Sequence, residues 1–332
     1  MFSARRYDRA MLAEANAGHG HALTFHEARL EAATVALAAG FPAVSIFVND
    51  DLNGTVLAAL AEGGTRLVAT RSTGFNQIDL PAAARHGIRV ARVGEYSPHS
   101  VAEFAVGLLL TLNRRIHRAY ERTRSGNFEL DGLMGFDLHG RTVGVVGTGR
   151  IGCAFGCAFG AIMAGFGCTV LGHDPRPSPA FEASGGRYVP LDELLPACDV
   201  LSLHCPLTPA TRHLIDAAAL GRVKPGLILV NTSRGGLVDT HAAVDALKDG
   251  RLGALGIDVY EQEADLFFRD LSSDIISDDL IQRLVSFPNV ILTGHQAFFT
   301  REAFGTICAT TIASITAFAQ GEPLVNEVCA PP

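Results

Sequence analysis

This 332-residue chain has no cysteine spacing that would frame a metal site or a disulfide scaffold. Its seven cysteines (Cys153, Cys157, Cys168, Cys198, Cys205, Cys308 and Cys329) are odd in number, scattered and without a C-x-x-C pair. They read as reduced thiols of a cytoplasmic protein. Cys153 and Cys157, one helical turn apart, read as packing residues rather than as a metal pair, and no bound metal is expected. A positive excess is lacking too. The 27 Lys and Arg against 34 Asp and Glu leave a formal charge of −7, which excludes a polyanion such as nucleic acid as the partner. The opening segment MFSARRYDRAML has no apolar stretch of the kind a signal peptide needs, and no internal repeat or low-complexity segment occurs. Long uncharged runs are scarce. One, Ile151 to Gly172, reaches the length of about 20 residues that a membrane span requires. Gly165 and Gly167 interrupt it, so it is read as a buried helix over about 150–164 followed by a buried strand, with no membrane.

What is present is the material of a globular protein, 48% hydrophobic and 18% charged, long enough for two domains. Its most informative stretch is TVGVVGTGRIG, residues 142 to 152. A strand-like apolar run leads into Gly147, Gly149 and Gly152, and a helix-like run follows. Gly147 allows the tight turn, Gly149 lets backbone approach a pyrophosphate, and Gly152 lets the helix pack close to the sheet. The unpaired N–H groups of that helix start favour an anion. Asp174 ends the next strand-like run, CTVLGHD, 22 residues beyond Gly152. A carboxylate there accepts ribose hydroxyls and repels a 2′-phosphate, which favours NAD over NADP. Arg176, two residues on, works against that preference.

Elsewhere strand-like and helical segments alternate, as in parallel βαβ units. Val44 to Val48, Arg66 to Thr70 and Ile88 to Val93 read as strands, with helices near 53–62 and 76–86. His19, His21 and His26 read as solvated loop residues. One long helix is expected from Ser97 and Pro98 to about Arg124, buried in its first half and basic in its second. After the glycine motif, Asp199 to His204, Gly226 to Thr232, Leu252 to Val259 and Asn289 to Gly294 complete a sheet of six strands. A final helix over about 301–319 is expected to pack on the first domain.

Ligands of open α/β sheets bind beyond the carboxyl ends of the strands. Arg234, Glu263 and His295 each follow such an end. Singly they read as a surface cation, a loop acid and a capping histidine. Together they suit reduction of a 2-oxo acid: a histidinium at His295 gives a proton to the carbonyl oxygen, a carboxylate favours that charged form, and Arg234 holds the substrate through its planar fork. His204, also at a strand end, is a weaker rival for the proton-carrying role. Glu261 competes with Glu263.

The segments VVGTGRIG, SLHCPLTP, VNTSRGGLVD, GIDVYEQEADLFF and LTGHQAF resemble those of the D-isomer-specific 2-hydroxyacid dehydrogenases. The loop ADLFFRDLSSDIISDD is similar to that of their fermentative D-lactate dehydrogenase branch, and the likeness runs over essentially the whole chain. It implies an α/β protein of two doubly wound parallel-sheet domains with a cleft between: a flavodoxin-like substrate domain, 1–96 plus 297–332, and a Rossmann-type NAD-binding domain, 97–296. It implies a homo-oligomer, NAD as cofactor and reduction of pyruvate to D-lactate. Carried over by position, it makes Arg234 the substrate anchor, Glu263 the partner of the histidine, and His295 the acid/base. Arg150 and Ile151 join the three glycines at the pyrophosphate, with Asp174 on the ribose. Cys205, Pro206, Thr211, Thr232, Ser233 and Asp258 line the rest of the cofactor site. Thr73 and Gly74 grip the substrate carboxylate, Tyr96 faces the substrate, and Phe298 and Phe299 wall its side-chain pocket. In one departure, only Met1 to Ala4 stand where the family's first apolar strand runs, so that strand is expected to be short. A bulkier 2-oxo acid, or an NAD(H)-sensing protein without turnover, are the alternative readings.

Overall fold

The computed structural model describes residues 1–148 and 153–329. They form two compact units, Met1–Ser97 with Phe299 onward, and Pro98–Phe298. In the first unit, helix α1 (Arg6–Asn16) precedes three parallel strands, β1 (Ala43–Ile46), β2 (Leu67–Thr70) and β3 (Arg89–Ala91), in the order β1-β2-β3. Helices α2 (Gly54–Glu62) and α3 (Leu80–Arg85) make the crossovers. Their starts are set by side-chain caps: Asn53 accepts from the N–H groups of Thr55 and Val56, and Asp79 from that of Ala82. The strands are short and almost wholly buried, which is why they read as continuous apolar runs.

No strand forms at Met1 to Ala4. The segment still borders the sheet, with Phe2 N–H donating to Ser45 C=O at 2.9 Å. The C-terminal helix, Arg301–Ala319, packs on α1 and β2. Among the described residues it alone is long and apolar enough to cross a membrane. The early histidines are not merely solvated. His19 Nδ1 and His21 Nε2 both bond Thr316 Oγ1, at 2.8 and 2.7 Å, and His26 packs on the Phe2 ring.

The second unit holds a seven-stranded parallel sheet, one strand more than the sequence suggested. Its strands are β4 (Thr142–Val146), β5 (Thr169–His173), β6 (Gly186–Tyr188), β7 (Val200–Leu203), β8 (Leu227–Asn231), β9 (Leu252–Ile257) and β10 (Val290–Leu292). The order is β10-β9-β8-β7-β4-β5-β6, so the direction of winding reverses between β4 and β7. That is the Rossmann-type arrangement, whose ligand crevice opens at the carboxyl ends beside the reversal. The unexpected strand is β6, an edge strand of three residues held by pairing with β5 and without an apolar run of its own.

The long helix is in fact two, α4 (Pro98–Asn113) and α5 (Ile116–Arg124). Arg115 takes a left-handed backbone (φ 51°), and the Asn113 amide exchanges two hydrogen bonds with the backbone of Phe136. Helix α4 is buried against β8, β9 and α6 (Cys153–Gly165) of its own unit, and no side chain of α5 is buried. From Cys153 onward the uncharged run thus becomes α6 and β5. The remaining crossovers are α7 (Pro179–Ala183), α8 (Leu191–Ala197), α9 (Ala217–Leu220), α10 (Thr240–Lys248) and α11 (Asp279–Ser286).

Candidate active site

Strand β4 is followed by Gly147, whose φ of +99° is left-handed. A Cβ there would sit 2.3 Å from the Cys205 nitrogen, so only glycine lets the turn approach the end of β7. Gly149, Arg150, Ile151 and Gly152, the rest of the expected pyrophosphate site, lie outside the described residues. Asp174 follows β5. Its Oδ2 accepts from the Thr148 N–H at 2.9 Å and its Oδ1 from the Arg176 N–H at 2.8 Å, which fixes the carboxylate between the ends of β4 and β5.

Beyond β7, Cys205 is buried, and burial pushes its thiol up to about 12, so it stays a protonated packing group. Its carbonyl accepts from Ser233 Oγ at 2.7 Å, and the Pro206 carbonyl accepts from Thr211 Oγ1 at 2.7 Å, folding the 205–211 loop on itself. After β8, the Asn231 side chain braces the next turn by bonding the Ser233 N–H and the Arg234 carbonyl. Thr232 Oγ1 is buried there without a partner. A hydroxyl left so is costly unless a ligand completes it. The orphaned hydroxyl, the glycine turn and the Asp174 carboxylate fit a dinucleotide.

Two strand ends then meet. Glu263 begins a single 3-10 turn after β9, and His295 follows β10. Glu263 Oε1 lies 2.9 Å from His295 Nδ1, while its Oε2 accepts from the Tyr260 N–H at 3.0 Å. Burial alone would push this carboxyl up. The hydrogen bond and charge of His295, the Tyr260 N–H and the Arg234 guanidinium together hold it below its ordinary range. The same carboxylate thus feels both His295 and Arg234. His295 has a left-handed backbone, φ 56°, a strain of the kind held in place at functional sites. Asp258 enforces it. Its carbonyl accepts from the His295 N–H, and its buried carboxylate accepts from Thr293 Oγ1 and the N–H groups of Gln296 and Ala297. This carboxylate, expected at the cofactor, also braces the 293–297 turn.

The rivals are elsewhere. His204 is buried with Nε2 on Ser202 Oγ at 2.8 Å, and burial lowers it to about 3, so its imidazole is uncharged near neutral pH. Glu261 is engaged by His213 and Arg212. Two aromatic rings flank His295: Phe298, edge-on at 6.5 Å, and Phe268, at 5.9 Å. Phe268 was not singled out in the sequence; its place just beyond Glu263 in an apolar Leu-Phe-Phe run was the only signal.

In the first unit, Thr73 and Gly74 follow β2 with backbone N–H groups that no acceptor takes among the described residues, and Thr73 Oγ1 donates to the Gly94 carbonyl at 3.1 Å. Free adjacent N–H groups suit a carboxylate. Tyr96 is half-buried at the end of this unit, and Phe299 is half-exposed with its ring edge-on to Tyr7 at 4.7 Å. Among the described residues, no three His, Cys, Asp or Glu side chains are grouped to hold a metal.

Residues 106–297 match the family model of the D-isomer specific 2-hydroxyacid dehydrogenase, NAD binding domain. The chain is 48% identical to the D-lactate dehydrogenase of Escherichia coli, over 99% of this chain and 98% of that one. It is 49% identical to a 2-hydroxyacid dehydrogenase homolog of Schizosaccharomyces pombe, over 96% and 95%. The structure of a D-lactate dehydrogenase from Aquifex aeolicus complexed with NAD and lactic acid superposes with a TM-score of 0.87, at 32% identity, over 100% of this chain and 99% of that one.

Proposed function

From the premise that the chain belongs to the D-isomer-specific 2-hydroxyacid dehydrogenase family and uses NAD, we propose that it is a D-lactate dehydrogenase reducing pyruvate, with Arg234, Glu263 and His295 as its catalytic residues. The observation that carries the reading is the Glu263–His295 hydrogen bond at 2.9 Å, made on a carboxylate that also feels the Arg234 charge. Arg234 binds the substrate carboxylate and carbonyl through its fork, aided by the free N–H groups of Thr73 and Gly74. When bound, NADH supplies the hydride that reaches C2 of the 2-oxo acid. His295 gives its Nε2 proton to the carbonyl oxygen, leaving a neutral imidazole that solvent reprotonates. Glu263 holds the ring by Nδ1 and favours its charged form. Tyr96, Phe298 and Phe299 shape the side-chain pocket. Gly147, Gly149, Arg150, Ile151 and Gly152 hold the pyrophosphate, Asp174 the ribose, and Cys205, Pro206, Thr211, Thr232, Ser233 and Asp258 the remaining cofactor contacts.

A cytoplasmic location is supported by thiols that form no disulfide among the described residues. A homo-oligomer is supported by Ile116, Tyr120, Phe128, Leu130 and Met134, large apolar side chains exposed on α5 and the segment after it.

The test is an initial-rate panel of pyruvate, phenylpyruvate and 2-oxoisocaproate with NADH and NADPH, with the handedness of the product determined. Pyruvate with NADH should give the highest kcat/KM and the D product. A preference for the bulkier acids would replace the substrate and keep the chemistry. His295→Ala should lose about 10²–10⁴-fold in kcat. Near-normal turnover by that variant would remove His295 from the mechanism.

A further inference from the structure

A second histidine–carboxylate pair lies beside the catalytic one. Glu261 Oε1 accepts from His213 Nε2 at 2.6 Å and from Arg212 at 3.1 Å, and its Oε2 accepts from Thr240 Oγ1 at 3.3 Å. Glu261 and His213 keep about a fifth and a third of their side-chain surface, so the bond is partly shielded from water. It also closes a loop of main-chain contacts. His213 takes a left-handed backbone, φ 50°, and its N–H donates to the Gly236 carbonyl at 2.8 Å, two residues beyond Arg234. Ile215 N–H donates to Leu237 C=O, and Asp239 N–H to Ile215 C=O. Gly235 lies so close that a Cβ would meet the Tyr260 carbonyl carbon at 2.1 Å. The Tyr260 N–H is itself the donor to Glu263 Oε2. Three segments are therefore tied at one point: the one that follows the 205–211 loop, the one after Arg234, and the turn from Tyr260 to Glu263.

We propose that Glu261, gripped by His213, is a positioning residue for the proposed reaction: it holds the Tyr260–Glu263 turn against the Arg234 segment, so that Glu263 meets His295 in register. This rests on the roles proposed above for Arg234, Glu263 and His295. Glu261 touches no reacting atom. Its contribution is geometric, and a misplacement of about 1 Å in such a constellation costs on the order of 10²-fold in rate.

The experiment compares full-length Glu261→Ala, Glu261→Gln, His213→Ala and His213→Gln with wild type. Hydrogen–deuterium exchange across the Tyr260–Glu263 turn is read together with kcat, KM, NADH affinity and thermal midpoint. Both Ala variants should exchange faster at that turn. They should lose roughly 10–100-fold in kcat while NADH affinity stays within about threefold. The Gln variants keep an acceptor at 261 or a donor at 213 and should recover most of the rate. The proposal is overturned by unchanged exchange at the turn, by a kcat within twofold of wild type in Glu261→Ala, or by Gln variants no better than Ala. Should wild type turn over no 2-oxo acid, the proposed function fails by itself. Exchange at the turn then still decides whether His213 and Glu261 hold it.

Discussion

Glu263 takes the Nδ1 of His295, and the Nε2 of that ring has no protein partner among the described residues. One nitrogen is thus committed to orientation, and the other is left open for the proton transfer proposed above. Replacing Glu263 by Gln keeps an acceptor but removes the charge that supports the imidazolium. Glu263→Gln should therefore lose on the order of 10²–10³-fold in kcat for 2-oxo acid reduction, with KM for NADH little changed. Because the carboxyl is held below its ordinary 4.5, it stays charged as pH falls past that value, and its support is lost only below it. The acid limb of the wild-type kcat profile should lie under pH 4.5, and Glu263→Gln should lack that limb. A limb unchanged in the variant would assign the titration to another group.

Gly235→Ala tests the close approach behind Arg234. The added Cβ would fall 2.1 Å from the Tyr260 carbonyl carbon and 2.3 Å from its oxygen, and neither backbone atom can swing aside. A loss of about 1–3 kcal/mol in stability is expected, together with a fall in kcat as Arg234 and Glu263 move apart. Gly294→Ala is the control, since its Cβ would meet nothing within 4 Å, and it should keep the wild-type urea midpoint. Equal midpoints for the two variants would contradict the packing argument.

The strands carrying Arg234, Glu263 and His295 were legible in the sequence because a parallel strand buried on both faces leaves an unbroken apolar run, and an ionisable residue after such a run stands out. Features decided by distant partners were not. The break at Arg115 depends on Asn113 finding the backbone of Phe136, and propensity alone favours one continuous helix. Strand β6 is legible only from its pairing with β5. The strand-end pattern admits Glu261 as a competitor and the resemblance favours Glu263; that His213 binds Glu261 is visible only once the fold brings His213 there. The resemblance alone places Asp258 at the cofactor, and it does not reveal that the 293–297 turn also uses its carboxylate.

Asp174 should set the nucleotide preference. Its carboxylate is fixed at the end of β5 by the N–H groups of Thr148 and Arg176. Juxtaposing like charges costs several kcal/mol. Asp174→Ser, which keeps an acceptor without the charge, should shift the ratio of kcat/KM for NADPH over NADH upward by on the order of 10²-fold. A ratio that stays put would mean that discrimination lies elsewhere.

His204 should make the protein acid-sensitive well above the carboxylate range. Its imidazole is buried, bonded to Ser202 and packed on Phe159, and burial lowers it from 6.5 to about 3. The unfolded chain takes up this proton near pH 6.5 and the folded chain does not, so the stabilisation is complete above 6.5 and is lost as pH falls toward 3. Between pH 6.5 and 5 this one side chain should cost up to about 2 kcal/mol, at roughly 1.4 kcal/mol per pH unit. Urea unfolding of His204→Gln, which cannot titrate, should show a flatter pH dependence in that window. Parallel curves for variant and wild type would assign the acid sensitivity to other groups.

Arg71 is the largest of the fully buried side chains, one residue before the turn that presents the Thr73 and Gly74 N–H groups. Its guanidinium donates to the Phe2 carbonyl at 2.7 Å and to Ser45 Oγ at 3.1 Å. Its Nε lies 3.2 Å from Asp8 Oδ1, an ion pair without hydrogen-bond alignment. Asp50, buried beside it, is pushed up by burial despite three hydrogen bonds and the Arg71 charge. Removing the cation therefore leaves two buried carboxyls without a counter-charge. Arg71→Met should destabilise by about 3–5 kcal/mol, the cost of breaking a buried pair. Arg71→Met with Asp8→Asn should recover part of that, because fewer buried charges are then orphaned. NADH binding belongs to the other unit and should change little in the double variant at temperatures where it is folded. KM for the 2-oxo acid should rise, since Arg71 anchors the start of the 72–74 turn. A double variant less stable than Arg71→Met alone would show that Asp8 is held by its bond to the Arg5 N–H at the start of α1 rather than by the buried cation.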